Sequence, residues 1–260
     1  MPEGSECKLI GESLAKMVGL RRVTSVVPVS GRYIKKPIEG VENILGAKVV
    51  GIGVKGKLVF WIFENDHFLL NTLGMSGVWS SEQPKNTRVR VSFDTGNPVY
   101  FIDPRGFGTL KVIYGRTAFL KKLESLGPDM LTEPPSLEVF TARLDAKPHW
   151  TICKALMNQG VISGVGNYVK AESLYRAEVW PGTTVAAMSG KEIKGLYFAI
   201  KNVLQESYDV GQKGLHDNSD RMQVYGKKTD PLGNEVKKTE FSDKRTTHWV
   251  PAVQGVQNKV

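Results

Sequence analysis

Cysteine is nearly absent from this chain. Cys7 and Cys153 are the only two in 260 residues, and their wide separation excludes a disulfide framework and argues against a cysteine metal site, so a reduced compartment is expected. Long apolar runs are missing as well. No stretch approaches the ~18 apolar residues of a membrane span, and the N-terminus is acidic where a secretory signal would be basic and then apolar. The expectation is a soluble, intracellular protein that does not contact membrane. Internal repeats and low-complexity tracts are also lacking. Acidic residues are the minority charge, 26 against 35 Lys and Arg, for a net charge of +9. Such a surplus favours a polyanionic partner.

What is present falls into two periodicities. Ile10, Leu14, Met17 and Val18 recur at helical spacing, with Cys7 a turn earlier and Gly19 as the stop. From Arg22 to Val112 the pattern changes to short β-rich runs over 23–29, 48–53, 58–63, 68–70, 88–93, 99–102 and 109–113, punctuated by turn residues. Regular short spacing of this kind reads as a sandwich or flattened barrel. A helix over 119–126 stops at Gly127-Pro128-Asp129, and Thr132-Glu133-Pro134-Pro135 reads as a hinge. Helical periodicity then dominates over 137–144, 150–158, 166–175 and 191–207. From Arg221 onward, Asp230-Pro231-Leu232-Gly233-Asn234 carries a hairpin signal with Lys and Arg on both arms.

Two local features carry chemistry. Pro2 is small enough for Met1 to be removed, which leaves a secondary amine beside the Glu3 carboxylate. An α-amine titrates near ~8, well below lysine, so it is partly neutral and nucleophilic near neutrality. Its attack on a sugar C1′ gives an iminium ion that can drive elimination. The plain alternative is a processed, solvated terminus. Gly164-Val165-Gly166-Asn167, between two helices, allows close backbone approach and offers helix N-terminal amides to a phosphate, with Asn167 as a further donor. Alone it reads equally well as a helix-helix turn.

Taken together, Pro2-Glu3, Gly56-Lys57, Leu73-Gly74-Met75-Ser76-Gly77, Asp103-Pro104-Arg105-Gly106-Phe107-Gly108, Leu126-Gly127-Pro128-Asp129 and Gly164-Val165-Gly166-Asn167 resemble the formamidopyrimidine-DNA glycosylase and endonuclease VIII (Fpg/Nei) family, in order, from the first residue to Gln254. The resemblance implies an α+β fold. Its parts are an N-terminal catalytic β-sandwich with a leading helix (1–130), a hinge helix (131–147), a helix-two-turn-helix DNA-binding domain (148–220) and a β-hairpin finger (221–260). It also implies a bifunctional glycosylase and abasic-site lyase of base excision repair that flips the lesion out of the duplex. By similarity, Pro2 attacks C1′, Glu3 protonates the opening sugar ring and successive β and δ eliminations follow, with Glu6 a weaker second candidate. Lys57 corresponds to the family's phosphate-contacting strand lysine, with Lys55 as its competitor. Met75, Arg105 and Phe107 correspond to the side chains that fill the gap left by the flipped nucleotide. Asn167 and Arg245 correspond to contacts with DNA phosphates.

The departures sharpen the resemblance. The family's usual finger binds zinc through two Cys-x-x-Cys pairs, and Leu232, Glu235, Val250 and Val253 stand in their places, so no metal and no cofactor is expected. Apolar packing by Val250 and Val253 replaces it, as in zincless-finger endonuclease VIII-like members. Ser5 replaces a frequent second proline and Thr72 a frequent histidine. Cys153 stands where the formamidopyrimidine branch has a base-contacting lysine, and 211–219 is brief where that branch has a lesion-capping loop. Oxidised pyrimidines and hydantoins are therefore expected ahead of 8-oxoguanine. The partner is duplex DNA carrying an oxidised base or abasic site, with single-stranded DNA a second form, bound by a monomer. The competing readings are a catalytically inactive damaged-DNA binder, an N-terminal-proline tautomerase and a general basic nucleic-acid protein.

Overall fold

A computed structural model describes residues 2–214 and 221–255. Met1, whose removal frees the Pro2 amine, and positions 215–219 of the short loop lie outside the described residues. The chain forms two compact units: Pro2 with Glu6–Ser125, and Glu3–Ser5 with the chain from Leu126 onward.

Helix α1 (Gly4–Val18) turns Cys7, Leu14 and Val18 into the first unit's core, and Gly19 ends it at φ 60°, a left-handed stop that suits glycine. Two antiparallel sheets follow. One holds β1 (Val23–Pro28), β5 (Val78–Ser80), β6 (Thr87–Phe93) and β7 (Val99–Ile102) in the order β1-β6-β7-β5. The other runs in sequence order through β2 (Val49–Lys55), β3 (Leu58–Phe63), β4 (His67–Thr72) and β8 (Thr109–Tyr114). Alternation explains the sandwich: Val89, Val91 and Phe93 face inward on β6, and Val59, Trp61 and Phe63 do so on β3. Trp61 anchors the core, its ring centre 5.3 Å from that of Trp79. Trp79 lies on the three-residue strand β5, too short for periodicity to reveal. Helices α2 (Arg32–Lys35) and α3 (Arg116–Glu124) complete this unit.

The second unit is mainly helical, and three of its helices begin at side-chain caps. Ser136 caps α4 (Leu137–Asp145), Thr151 caps α5 (Ile152–Met157), and Ser189 with Glu192 forms a capping box on α7 (Gly190–Gln212). Between them α6 (Asn167–Arg176) is buried along Tyr168–Tyr175. A hairpin of β9 (Lys237–Glu240) and β10 (Thr246–Trp249), then α8 (Pro251–Gln254), close the described chain.

The hairpin corrects one expectation. Its strands flank residues 241–245, whereas 230–234 is a tight turn with a single bridge, Thr229 to Glu235. The reason is local. Asp230 Oδ1 accepts the amides of Leu232 and Asn234, so its side chain satisfies donors that a strand ladder would otherwise take. Among the described residues no helix is long and apolar enough to cross a membrane.

Candidate active site

Glu3 precedes α1 but serves another helix. Its carboxylate is buried, accepting the Tyr168 amide at 3.0 Å and the Val169 amide at 3.2 Å, in the first turn of α6. These are orphan N-terminal donors, and the helix dipole favours a negative group there. The packing demands glycine: a Cβ on Gly166 would lie 2.2 Å from Glu3 Cδ. Gly4 N donates to Gly164 O at 2.8 Å and Ser5 Oγ to Leu204 O at 2.7 Å, so three successive residues after Pro2 are fastened. Gln159 shapes the same turn, donating to Val165 O and accepting from Gly164 N. The glycine turn thus holds a carboxylate of this chain. The expectation that amides at the N-terminus of this helix are offered to a phosphate is corrected for those of Tyr168 and Val169, which donate to Glu3. Pro2 itself is half-buried.

In the first unit, two glycine-flanked loops bring Met75, Arg105 and Phe107 together. The loops touch so closely that a Cβ on Gly74 would lie 2.6 Å from Gly108 N, and Gly74 has φ 63°. Asp103, fully buried, stitches them: Oδ1 accepts Ser76 Oγ at 2.7 Å and Oδ2 accepts Gly108 N at 2.6 Å. Ser76 Oγ in turn accepts Arg105 N at 3.1 Å, and Arg88 donates to the carbonyls of Asp103 and Pro104. On this platform Phe107 is 56% exposed with the Arg105 guanidinium 5.5 Å from its ring centre, while Met75 is half-buried. A large exposed aromatic on a rigid loop is unusual in a core-forming role. Lys57 occupies the two-residue turn between β2 and β3 beside Gly56, which takes φ 57°, and is half-buried; Lys55 is the last residue of β2.

In the second unit, α6 grips the finger. Asn167 Nδ2 donates to Thr246 O at 2.9 Å, one residue from the exposed Arg245. Lys170, without exposed surface, pairs with Asp243, whose side chain is 2% exposed. Glu172 accepts the amides of Gln223, Val224 and Tyr225. Cys153 is buried with its Sγ 3.7 Å from Thr247 Oγ1. Burial pushes its thiol up to about 12, with Lys170 opposing and Asp243 reinforcing the shift, so it is not a thiolate nucleophile.

The finger tests the fit of zinc. Val250 packs with Ala171, Tyr175, Val224 and Val236, and Val253 lies against that cluster. Among the described residues no group of three His, Cys, Asp or Glu side chains is arranged to hold a metal ion. The positions that would carry thiolates are apolar packing or exposed residues, and the donor set does not fit zinc.

Ser76, Asp103 and Asp230 stand in the sequence motifs without a role of their own, and Arg88, Lys170, Glu172 and Asp243 stand in none of them. One signal was available: a charged residue within a continuous buried helical run, as at Lys170 and Glu172, needs a partner.

The comparisons agree with this geometry. The formamidopyrimidine-DNA glycosylase N-terminal domain matches residues 1–110, its H2TH domain residues 126–219 and its C-terminal domain residues 214–255. The formamidopyrimidine-DNA glycosylase of Bacillus subtilis is 33% identical over 259 residues, covering 90% of this chain and 91% of the relative. That of Listeria monocytogenes is 28% identical, covering 98% and 100%. The MutM (Fpg) protein of Thermus thermophilus superposes with a TM-score of 0.86 at 26% identity, covering 98% and 99%. Lactococcus lactis Fpg, in a complex with DNA containing an abasic site, shares the fold with a TM-score of 0.84 at 22% identity, covering 97% and 99%. With its β-sandwich, its H2TH helices and its finger each matched in order, the chain belongs to the Fpg/Nei family of DNA glycosylases.

Proposed function

We propose that the protein excises oxidised bases from duplex DNA and cleaves the resulting abasic site through a Schiff base at Pro2. The observation that carries this reading is Glu3, a buried carboxylate fixed by two backbone amides and covalently adjacent to the Pro2 amine. A fixed acid beside a nucleophile is what ring opening requires. The neutral Pro2 nitrogen attacks C1′ and sheds its proton to the Glu3 carboxylate, and the N-glycosidic bond breaks as the base leaves and takes a proton from water. Glu3 gives a proton to the ring oxygen, the C1′–O4′ bond opens, and an iminium remains at C1′. Loss of a C2′ proton expels the 3′ phosphate, a second elimination expels the 5′ phosphate, and water hydrolyses the remnant to free Pro2.

The other side chains serve access and grip. Met75, Phe107 and Arg105 enter the space vacated by the flipped nucleotide, where the ring and thioether replace lost stacking and the guanidinium meets the orphaned base. Lys57, Asn167 and Arg245 contact phosphates, consistent with the surplus of positive charge. The relatives' name adds formamidopyrimidines to the lesions to be tested. Cys153, inert and buried where a lysine would meet the base, supports oxidised pyrimidines and hydantoins ahead of 8-oxoguanine.

Incubation with abasic duplex and borohydride tests the mechanism. A covalent adduct that Pro2→Gly abolishes is expected; an adduct unaffected by that change, or none from the wild type, refutes it. A panel of lesion duplexes, formamidopyrimidine and 8-oxoguanine included, ranks the substrates.

A further inference from the structure

The turn that carries Arg245 is fastened from a single helical turn of α6. Asn167 holds Thr246 O, and Lys170, three residues on and therefore on the same face, pairs with Asp243. Asp243 divides its carboxylate. Oδ2 faces the Lys170 ammonium, and Oδ1 accepts the backbone amide of Arg245 at 3.3 Å. Lys244 between them takes φ 54°, and its amide donates to Phe241 O at 2.9 Å. A tight turn with one left-handed residue has few ways to aim the side chain that follows.

Burying both members of an ion pair costs solvation, and an apolar pair of similar volume would pack at least as well. Asp243 is also an odd neighbour for a DNA-binding arginine, since an acidic residue near phosphates repels them. We infer that Lys170 and Asp243 are positioning residues for DNA binding: the buried pair locks the turn that aims Arg245, and Lys170 neutralises the carboxylate that the lock requires. Because the pair is out of water, salt that weakens DNA contacts leaves the lock in place. The inference rests on the reading of Arg245 as a phosphate contact.

Asp243→Ala separates positioning from charge. As a bare charge, Asp243 opposes DNA, and its removal would tighten binding. As a lock it supports DNA, and its removal should raise the dissociation constant for a duplex bearing a tetrahydrofuran abasic analogue about tenfold, reducing the salt slope by about one. Lys170→Met should do the same, Lys170→Arg should stay within about threefold of wild type, and neither loss should add to that of Arg245→Ala. Asp243→Ala carries the test if Lys170→Met does not fold. Binding unchanged or tightened by Asp243→Ala, or penalties that multiply with Arg245→Ala, would overturn the inference. If Arg245→Ala itself binds like wild type with an unchanged salt slope, the phosphate reading fails first.

Discussion

Tyr175 donates its phenolic hydrogen to Asp230 Oδ2 at 3.1 Å, tying helix α6 to the turn that precedes the finger hairpin. The same oxygen accepts Asn234 Nδ2, while Oδ1 holds the amides of Leu232 and Asn234. Burial works against the Asp230 charge, but these hydrogen bonds outweigh it and hold the carboxyl below its ordinary range. Burial and the hydrogen bond to Asp230 push Tyr175 up to about 12.

The signs define a pH window for the finger. A lowered carboxyl stabilises the fold above its ordinary pKa of ~3.9, and that stability is lost as pH falls through the depressed value. A raised phenol stabilises below its ordinary ~10 and is lost as pH rises toward about 12. His248 is lowered, first by burial and then by Lys238 and Lys170, so its contribution fades as pH drops below the usual histidine value. Thermal melting from acid to alkali should show a plateau between these limbs. Tyr175→Phe should remove the alkaline loss assigned to this phenol, and an unchanged alkaline limb would contradict it.

Glu3→Gln should separate the two activities. Excision from an intact nucleotide needs a proton for the ring oxygen and should fall about 10²–10⁴-fold. A preformed abasic site already exists partly as open aldehyde, so borohydride trapping on it should fall far less. Equal losses on both substrates would argue against the acid role.

Gly166→Ala should move Glu3 without changing it. The new methyl would overlap the carboxylate carbon, an overpacking worth about 1–3 kcal/mol in a tight core. Urea melting should report that loss, with excision falling beside it.

Asp103→Ala should loosen the loops carrying Met75, Arg105 and Phe107. It leaves Gly108 N without its buried acceptor and the Ser76 hydroxyl without the carboxylate it donates to, a loss of about 1–3 kcal/mol. A fluorescent base beside the lesion should show less unstacking, while trapping on single-stranded abasic DNA is affected little.

A chelator should leave both melting temperature and excision unchanged, because Leu232, Glu235, Val250 and Val253 offer no thiolate set. Activity removed by chelator and returned by zinc would contradict the apolar finger.

Strand alternation in β3 and β6, the caps at Ser136, Thr151 and Ser189, and the glycine loops are local features, and the sequence displays them openly. Glu3 is different. Its partners lie 165 and 166 residues away, and nothing near Pro2 announces that its carboxylate will close another helix. Asp103 likewise looks like one polar residue in a polar loop until folding brings Ser76 and Gly108 to it. The hairpin was displaced because Asp230 satisfies a turn that resembles a hairpin tip, whereas the true tip at 241–245 is fixed by Lys170, a distant lysine in a buried helical run.

The Tyr168 and Val169 groups that donate to Glu3 belong to the main chain. Every amino acid except proline supplies the same N–H, so exchanging the side chain of Val169 leaves that anchor intact. A saturation library over this stretch should therefore accept apolar residues of similar volume at buried position 169 and almost nothing at 166, where any atom beyond hydrogen collides with the acid. The inheritance of this chemistry is written less in reactive side chains than in the places where a side chain is forbidden.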